Sequence, residues 1–246
     1  MATKRLSGDK RPITFDYGDL GRNYWIDEEG GIRWDLIRIN LDELGHFLQT
    51  VEGFIAREES QEVADIEREF GECVDWAEHY PWHWQDIIGS QLRQSYVVSL
   101  MSATEWHLKS ICSEVNGILQ AAVEPDDLKG GTLSRTRKFL TKIAKFSKPS
   151  TTMWDDVANI YLLRNILVHN TGMFDGEKKG QVAAIMRQFP GIKLESGFVR
   201  IGPKFCRSVH QRVEGFFKDL QGEYVRLCQR LARSESPGKS GGPNQH

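Results

Sequence analysis

Apolar residues recur with a helical period along most of the chain. From Leu36 to about Ala77, Leu41, Leu44, Phe47, Leu48, Val51, Phe54 and Ile55 fall at three- and four-residue spacing, and Ile66, Phe70, Cys73 and Ala77 extend the stripe. This pattern predicts a long amphipathic helix or a helix pair. Pro81 interrupts it inside the aromatic segment Tyr80-Pro81-Trp82-His83-Trp84. A second helix is predicted from about Trp84 to Gln120, striped by Val97, Leu100, Met101, Thr104, Leu108, Ile111, Val115 and Ile118, and closed by Glu124-Pro125-Asp126-Asp127 and Gly130-Gly131. A shorter helix follows, from about Leu133 to Phe146, and Pro149 ends it. The next runs from about Thr152 to Val168 and stops before Asn170-Thr171-Gly172. The last opens at Gly202-Pro203 and carries the stripe Phe205, Val209, Val213, Phe216, Leu220, Tyr224, Leu227 and Leu231 to about Ala232.

The remaining stretches are short of this period. Tyr24-Trp25-Ile26 and Ile32-Arg33-Trp34 flank Glu-Glu-Gly-Gly, which suggests a small hairpin. Residues 173–200 read as a connector, with Ile192-Lys193-Leu194 and Phe198–Ile201 forming a second hairpin around Ser196-Gly197. The expected fold is therefore all-α, a helical bundle of four to five main helices with minor β-hairpin elements. The expected organisation is an irregular or hairpin segment over 1–35, the helical domain over 36–233 and a disordered tail over 234–246. No βαβ alternation, GxGxxG or GxxxxGK[ST] occurs, which argues against a doubly wound nucleotide-binding sheet.

Composition narrows the class. The chain has 246 residues, 39% hydrophobic and 27% charged, with a net charge of -2. That balance suits a globular protein and excludes a uniformly basic nucleic-acid coat. The absence of any run near the ~18 apolar residues of a membrane span, and of an apolar run after the basic N-terminus, leads to an expectation of a cytoplasmic protein with no membrane association. Cys73, Cys112, Cys206 and Cys228 form no CxxC or Cys/His cluster, so they are expected to be reduced, buried thiols. No metal or cofactor is expected. His79 and His83 stand at i, i+4 but straddle Pro81 and lack further ligands.

Charge is segregated along the chain. Between Glu52 and Glu78, ten acidic residues meet two arginines, and the expected role of the run is a solvated helix face. From Leu128 to Trp154 no acidic residue occurs, while Arg135, Arg137, Lys138, Lys142 and Lys145 follow one another at spacings that allow a shared helix face. Two readings stand side by side, an RNA-binding surface that tracks phosphates and an ordinary solvated face.

The most informative segment is Tyr161-Leu-Leu-Arg164-Asn165-Ile-Leu-Val-His169-Asn170. At about 100° per residue, Arg164 shares a stripe with Val157, Ile160, Tyr161 and Val168, so its guanidinium is expected to face inward. Such a charge needs an anionic partner. Glu105 is one candidate, because it shares the face of Met101, Leu108 and Cys112. A phosphate is the other. His169 stands one turn above Asn165. An imidazole exchanges protons near neutral pH and suits removal of a ribose 2′-hydroxyl proton. Arg164 then stabilises the phosphorane, Asn165 positions the phosphate or the imidazole, and Glu105 orients Arg164. His169 and Arg164 form a minimal kit for metal-independent RNA cleavage.

This segment resembles the signature of the HEPN superfamily, an Arg followed by a polar residue and, after four to six residues, a His. Here it reads Arg164-Asn165-Ile-Leu-Val-His169, with four residues between Arg and His. The resemblance covers about residues 84–232, and Ser95–Val115 resembles the earlier helix whose polar residue, here Glu105, faces the motif. It implies an all-α bundle and an endoribonuclease of toxin–antitoxin or phage-defence systems. It also implies a homodimer whose two motifs line one composite cleft. Arg164, Asn165 and His169 would be the functional residues and RNA the substrate, with an antitoxin or defence-system protein as a further partner. Some members of the superfamily are non-catalytic, so the alternative is a helical interaction or dimerisation module. The enzymatic alternative requires the Arg164–His169 pair to stay open to solvent.

Overall fold

The structure is a computed structural model, and it describes residues 34–71, 75–169, 172–173 and 179–234. The hairpin expected at 24–34 and the tail after Ser234 lie outside the described residues, apart from Trp34, which opens the first helix. In order, the elements are α1 (Trp34–Phe70), α2 (Trp76–His79), a π-helical turn (Trp84–Ile88) running into α3 (Gly89–Leu119), α4 (Thr132–Lys138) with a second π turn (Phe139–Ile143), α5 (Thr151–His169), α6 (Lys179–Gln188), the hairpin β1 (Ile192–Glu195) and β2 (Phe198–Ile201), and α7 (Pro203–Ser234). Among the described residues the protein is all-α with one minor hairpin, as the apolar periods predict.

The core forms where α1, α5 and α7 pack on α3. Leu41, Leu48, Val51 and Ile55 of α1, Tyr96, Val97, Leu100, Leu108 and Ile111 of α3, and Phe205, Val209, Val213, Phe216 and Leu220 of α7 are all buried. Trp154 of α5 packs edge-on against Phe216, with ring centroids 4.8 Å apart. Each of these sets recurs every three to four residues, which is why the helices bury one side and leave charged residues on the other.

Four sequence expectations change. First, the connector 173–200 contains α6. Val182 and Ile185 of α6 and the following Phe189 are buried, a pattern too short to stand out beside the neighbouring glycines. Second, α5 buries Trp154, Asp156, Val157, Ile160, Leu163, Ile166 and Leu167, so the expected stripe holds at Val157 and Ile160 but in the last turns passes to Leu163, Ile166 and Leu167 instead of Tyr161, Arg164 and Val168. Val168, expected on that stripe, is 43% exposed. Apolar residues surround this helix on all sides, so its period permits two faces. Asp156 is buried with the face seen, where it is paired with Arg212 and accepts a hydrogen bond from Gln188.

Third, the acidic run is only partly a solvated face. Glu52 holds the buried Arg93 through two 2.8 Å hydrogen bonds. Glu59 accepts from Tyr80 Oη and Gln85 Nε2, each at 2.6 Å, and Glu62 accepts from Trp84 Nε1 at 2.6 Å. These carboxylates fasten the far half of α1 to the segment around Pro81. Gly89 permits the π turn there, since a Cβ would stand 2.6 Å from the Trp84 carbonyl oxygen. Fourth, Phe47, Phe54 and Phe70 lie at the exposed margin of α1, and Cys228 is half-buried where Cys112 and Cys206 are buried. Cys73 lies outside the described residues.

The hairpin is seated on α3. Gln94 Nε2 donates to the Val199 carbonyl at 2.9 Å, and the Ile201 amide donates to Ser90 Oγ at 3.0 Å. The chain leaving α5 joins the same layer, because the Val199 amide donates to the Gly172 carbonyl at 2.9 Å. Gly172 has φ +76, a conformation that favours glycine. The end of α5 is thereby tethered three residues beyond His169.

Candidate functional site

The Arg164 turn lies where the last turns of α5 emerge from the bundle. Leu163, Ile166 and Leu167 anchor the helix from below, leaving Arg164 and Asn165 half-buried and His169 exposed as the final helical residue. Arg164 Nη1 donates to Asn165 Oδ1 at 3.0 Å, and the guanidinium carbon sits 5.9 Å from the Tyr161 ring centroid. Its Nε is sealed from solvent without a hydrogen-bond partner. No ion pair to Arg164 occurs among the described residues.

Glu105 therefore takes a different part from the one expected. It does not pair with Arg164. Tyr161 lies between them, its hydroxyl donating to Glu105 Oε2 at 3.4 Å, while Glu105 Oε1 lies 3.6 Å from Lys109 Nζ. Burial, reinforced by the Glu105 charge and opposed by Arg164, pushes the Tyr161 phenol above its usual range, so it remains a neutral donor. The corrected face of α5 explains the difference. With Leu163 rather than Arg164 pointing into the bundle, the guanidinium lies beside the α3 contact instead of within it. The void between Glu105, Tyr161, Met101 and Leu133 measures about 10 Å³, room for no more than one water.

His169 stands five positions beyond Arg164. On an α-helix that step rises about 7.5 Å and leaves the two side chains about 140° apart. Asn165 lies between them and nearly in line with His169. A phosphate touched by both ends of this row would have to lie across the end of the helix. Arg164 supplies positive charge and a planar set of donors, Asn165 an amide, and His169 a solvent-facing proton acceptor.

The basic segment is less continuous than its sequence suggests. Arg135 pairs with Asp126 at 3.1 Å and lines a cleft of about 410 Å³ between α3 and α4. Arg137 pairs with Asp155 at 2.7 Å, and Lys138 Nζ donates to the Lys129 carbonyl at 2.6 Å. Lys142 and Lys145 are exposed, but the π turn and the positive φ of Lys145 take them off the α4 face. Asp126 and Asp155 lie just outside the acid-free window, where a count along the sequence does not register them.

Tyr161 and Lys109 are the site residues that sequence reasoning passed over. Their signals were local. Tyr161 stands three residues before Arg164, and Lys109 stands four after Glu105, both spacings that place side chains together on a helix. His83 lies 3.2 Å from Glu62 rather than beside His79, and the described residues contain no group of three or more His, Cys, Asp or Glu placed to hold a metal ion. No described helix is long and apolar enough to cross a membrane. Compared with protein families, with characterised proteins and with solved structures, the chain matches none.

Proposed function

We propose that the protein is a metal-independent endoribonuclease of the HEPN type, acting as a homodimer in a toxin–antitoxin or phage-defence setting. The observation that carries this reading is the state of Arg164. It is a half-buried guanidinium with a sealed, unpartnered Nε and no ion pair among the described residues, and it lies on the turn that ends in the exposed His169. A structural arginine in such a position is normally consumed by a carboxylate. Here Glu105 is bound to Tyr161 and Lys109, so it does not take up the guanidinium, and Nη2, the terminal nitrogen that does not donate to Asn165, is the donor left for a phosphate.

The chemistry follows from these groups. His169 takes the 2′-hydroxyl proton, and the 2′-oxygen attacks the adjacent phosphorus. Arg164 and Asn165 face the charge of the phosphorane, and the 5′-oxygen leaves as it gains a proton from an imidazolium. Attack and departure lie on opposite sides of phosphorus, so one imidazole does not serve both in a single step. In the homodimer that the HEPN resemblance implies, His169 of the partner subunit would supply the second. The products carry a 2′,3′-cyclic phosphate and a 5′-hydroxyl. The test is digestion of total and transfer RNA in EDTA by wild type and by His169→Ala. Cleavage by wild type alone is expected, and equal activity of the two would place any nuclease outside this motif.

A second reading, the interaction module, is favoured by one observation. Phe70, Trp76, Tyr80 and Trp82 are exposed together around the end of α1, Trp82 by 54%. Exposed aromatic groups of this kind mark docking surfaces. If wild type and His169→Ala are both inert on RNA with every trigger supplied, this reading replaces the first.

A further inference from the structure

The β1–β2 hairpin carries an arrangement that its own stability disfavours. In the antiparallel register Lys193 lies directly opposite Arg200. Two like charges at paired positions on one face of a hairpin repel each other. Glu195 relieves this only weakly, because it stands 4.0 Å from both Lys193 Nζ and Arg200 Nε, beyond hydrogen-bond distance. Arg200 Nε is sealed from solvent and has no hydrogen-bond partner.

Both side chains line a cleft of about 260 Å³ between the hairpin, the π turn before α3 and the start of α7. Lys204 joins them from the first turn of α7. Arg93 also reaches this wall, but Glu52 already neutralises it. Three cations thus stand against two carboxylates, Asp86 in the wall of the cleft and Glu195 at 4.0 Å from Lys193 and Arg200, which leaves an excess of one positive charge. Gly191 and Gly202 keep the floor low, and the Gly202 amide donates to the Gly191 carbonyl at 2.7 Å. A repelling cross-strand pair and an excess of positive charge in one cleft are both relieved by a bound anion.

We propose that this cleft binds a phosphate group, and that in the working protein it holds a phosphodiester of the RNA strand entering the Arg164–His169 site. The second half of this statement rests on the ribonuclease reading. It is supported by continuity of backbone, since Val199, the neighbour of Arg200, is hydrogen-bonded to Gly172, three residues past His169. The surface that tracks the RNA backbone thereby moves away from the α4 segment, whose two arginines are already paired with carboxylates.

The test uses full-length His169→Ala protein, so that binding is read without cleavage, and a fluorescent single-stranded RNA followed by anisotropy over a series of salt concentrations. Adding Lys193→Gln and Arg200→Gln is expected to weaken binding about tenfold or more and to reduce the salt slope by about 0.7 for each phosphate the cleft no longer neutralises. Lys142→Gln with Lys145→Gln is expected to change the affinity less than about threefold, within the ordinary scatter of exposed charges. The melting temperature of the hairpin variant is measured alongside, and a value within about 2–4 °C of its parent shows that weaker binding is not a sign of unfolding. Hairpin variants that bind RNA as tightly as the parent, with the same salt slope, would overturn the proposal, as would a parent that binds no RNA. Inorganic phosphate supplies the second arm. If it raises the melting temperature of the parent but not of the hairpin variant, while both bind RNA alike, the cleft takes free phosphate and its link to RNA is refuted. RNA that is held through the hairpin but never cut by the wild-type chain would leave this site standing and remove the ribonuclease reading instead.

Discussion

Replacing Glu52 by Ala tests whether the acidic run is structural where it meets α3. Arg93 is 1% exposed, and its Nε and Nη2 each donate to Glu52 at 2.8 Å. The Gln85 carbonyl and Gln85 Oε1, at 3.2 and 3.0 Å, are the other acceptors. Removing the carboxylate leaves a buried guanidinium held by two neutral acceptors. Breaking a buried pair in this way costs about 3–5 kcal/mol, and the partial exposure of the Glu52 side chain, 24%, places the change near the lower figure. For a domain of this size each kcal/mol lowers the melting temperature by about 2–4 °C, so a drop of about 6–12 °C is expected. Far-UV circular dichroism during heating and urea unfolding both read it. Glu67→Ala, in the same run but fully on the surface, should stay within about 0.5 kcal/mol of wild type. Combining Glu52→Leu with Arg93→Met should recover most of the drop, because no charge is then left buried. A Glu52→Ala variant as mild as Glu67→Ala, or an apolar pair less stable than Glu52→Ala alone, would refute a structural role for this carboxylate.

Further outcomes follow from other buried groups and from the site. Burial lowers the His107 imidazole to about 4, and it is held neutral with Nε2 donating to Asn40 Oδ1 at 3.1 Å. The unfolded chain takes up this proton nearer pH 6.5, so the contribution is complete above that pH and is lost as pH falls toward 4, by about 3 kcal/mol. Urea unfolding at a series of pH values should show this slope in wild type and not in His107→Gln. Burial pushes the Cys112 and Cys206 thiols up to about 12, so mass spectrometry after iodoacetamide treatment at mildly alkaline pH should find both unmodified until denaturant is added. Tyr161→Phe keeps the ring beside Arg164 and should retain most RNA cleavage. Tyr161→Ala should lower it about fivefold, matching the ~1 kcal/mol of a partly exposed guanidinium–aromatic contact. A larger drop in Tyr161→Phe would assign the weight to the Glu105 hydrogen bond.

The helices that carry long single stripes were legible in the sequence. The run from Phe205 to Leu227 in α7 admits one inward face, which the structure buries, while in α1 the structure buries Leu41, Leu48, Val51 and Ile55 and leaves Phe47 and Phe54 of the same stripe exposed. The hairpin was legible because Ser196-Gly197 supplies two positive φ values between two apolar runs. α5 was not, since Ile160, Leu162, Leu163, Ile166, Leu167 and Val168 surround the helix and leave its rotation to tertiary contacts such as Asp156 with Arg212. That one ambiguity moved Arg164 from the interior to the margin and replaced an Arg164–Glu105 pair by a contact relayed through Tyr161. The same limit applies to charge. A window without acids, such as Leu128–Trp154, says nothing of Asp126 and Asp155 folding over its ends, and an acidic run does not announce which of its carboxylates meets Arg93.

The central claim is that the Arg164–His169 turn cleaves RNA through the 2′-hydroxyl. The most direct measurement takes an RNA oligonucleotide cut by wild type in EDTA and compares it with the same oligonucleotide carrying a single 2′-deoxy substitution at the mapped scissile nucleotide, with product ends identified by mass spectrometry. The expected result is 2′,3′-cyclic phosphate and 5′-hydroxyl ends from the first and no cut at that position in the second. Cleavage of the substituted strand, or products with 3′-hydroxyl ends, would contradict it.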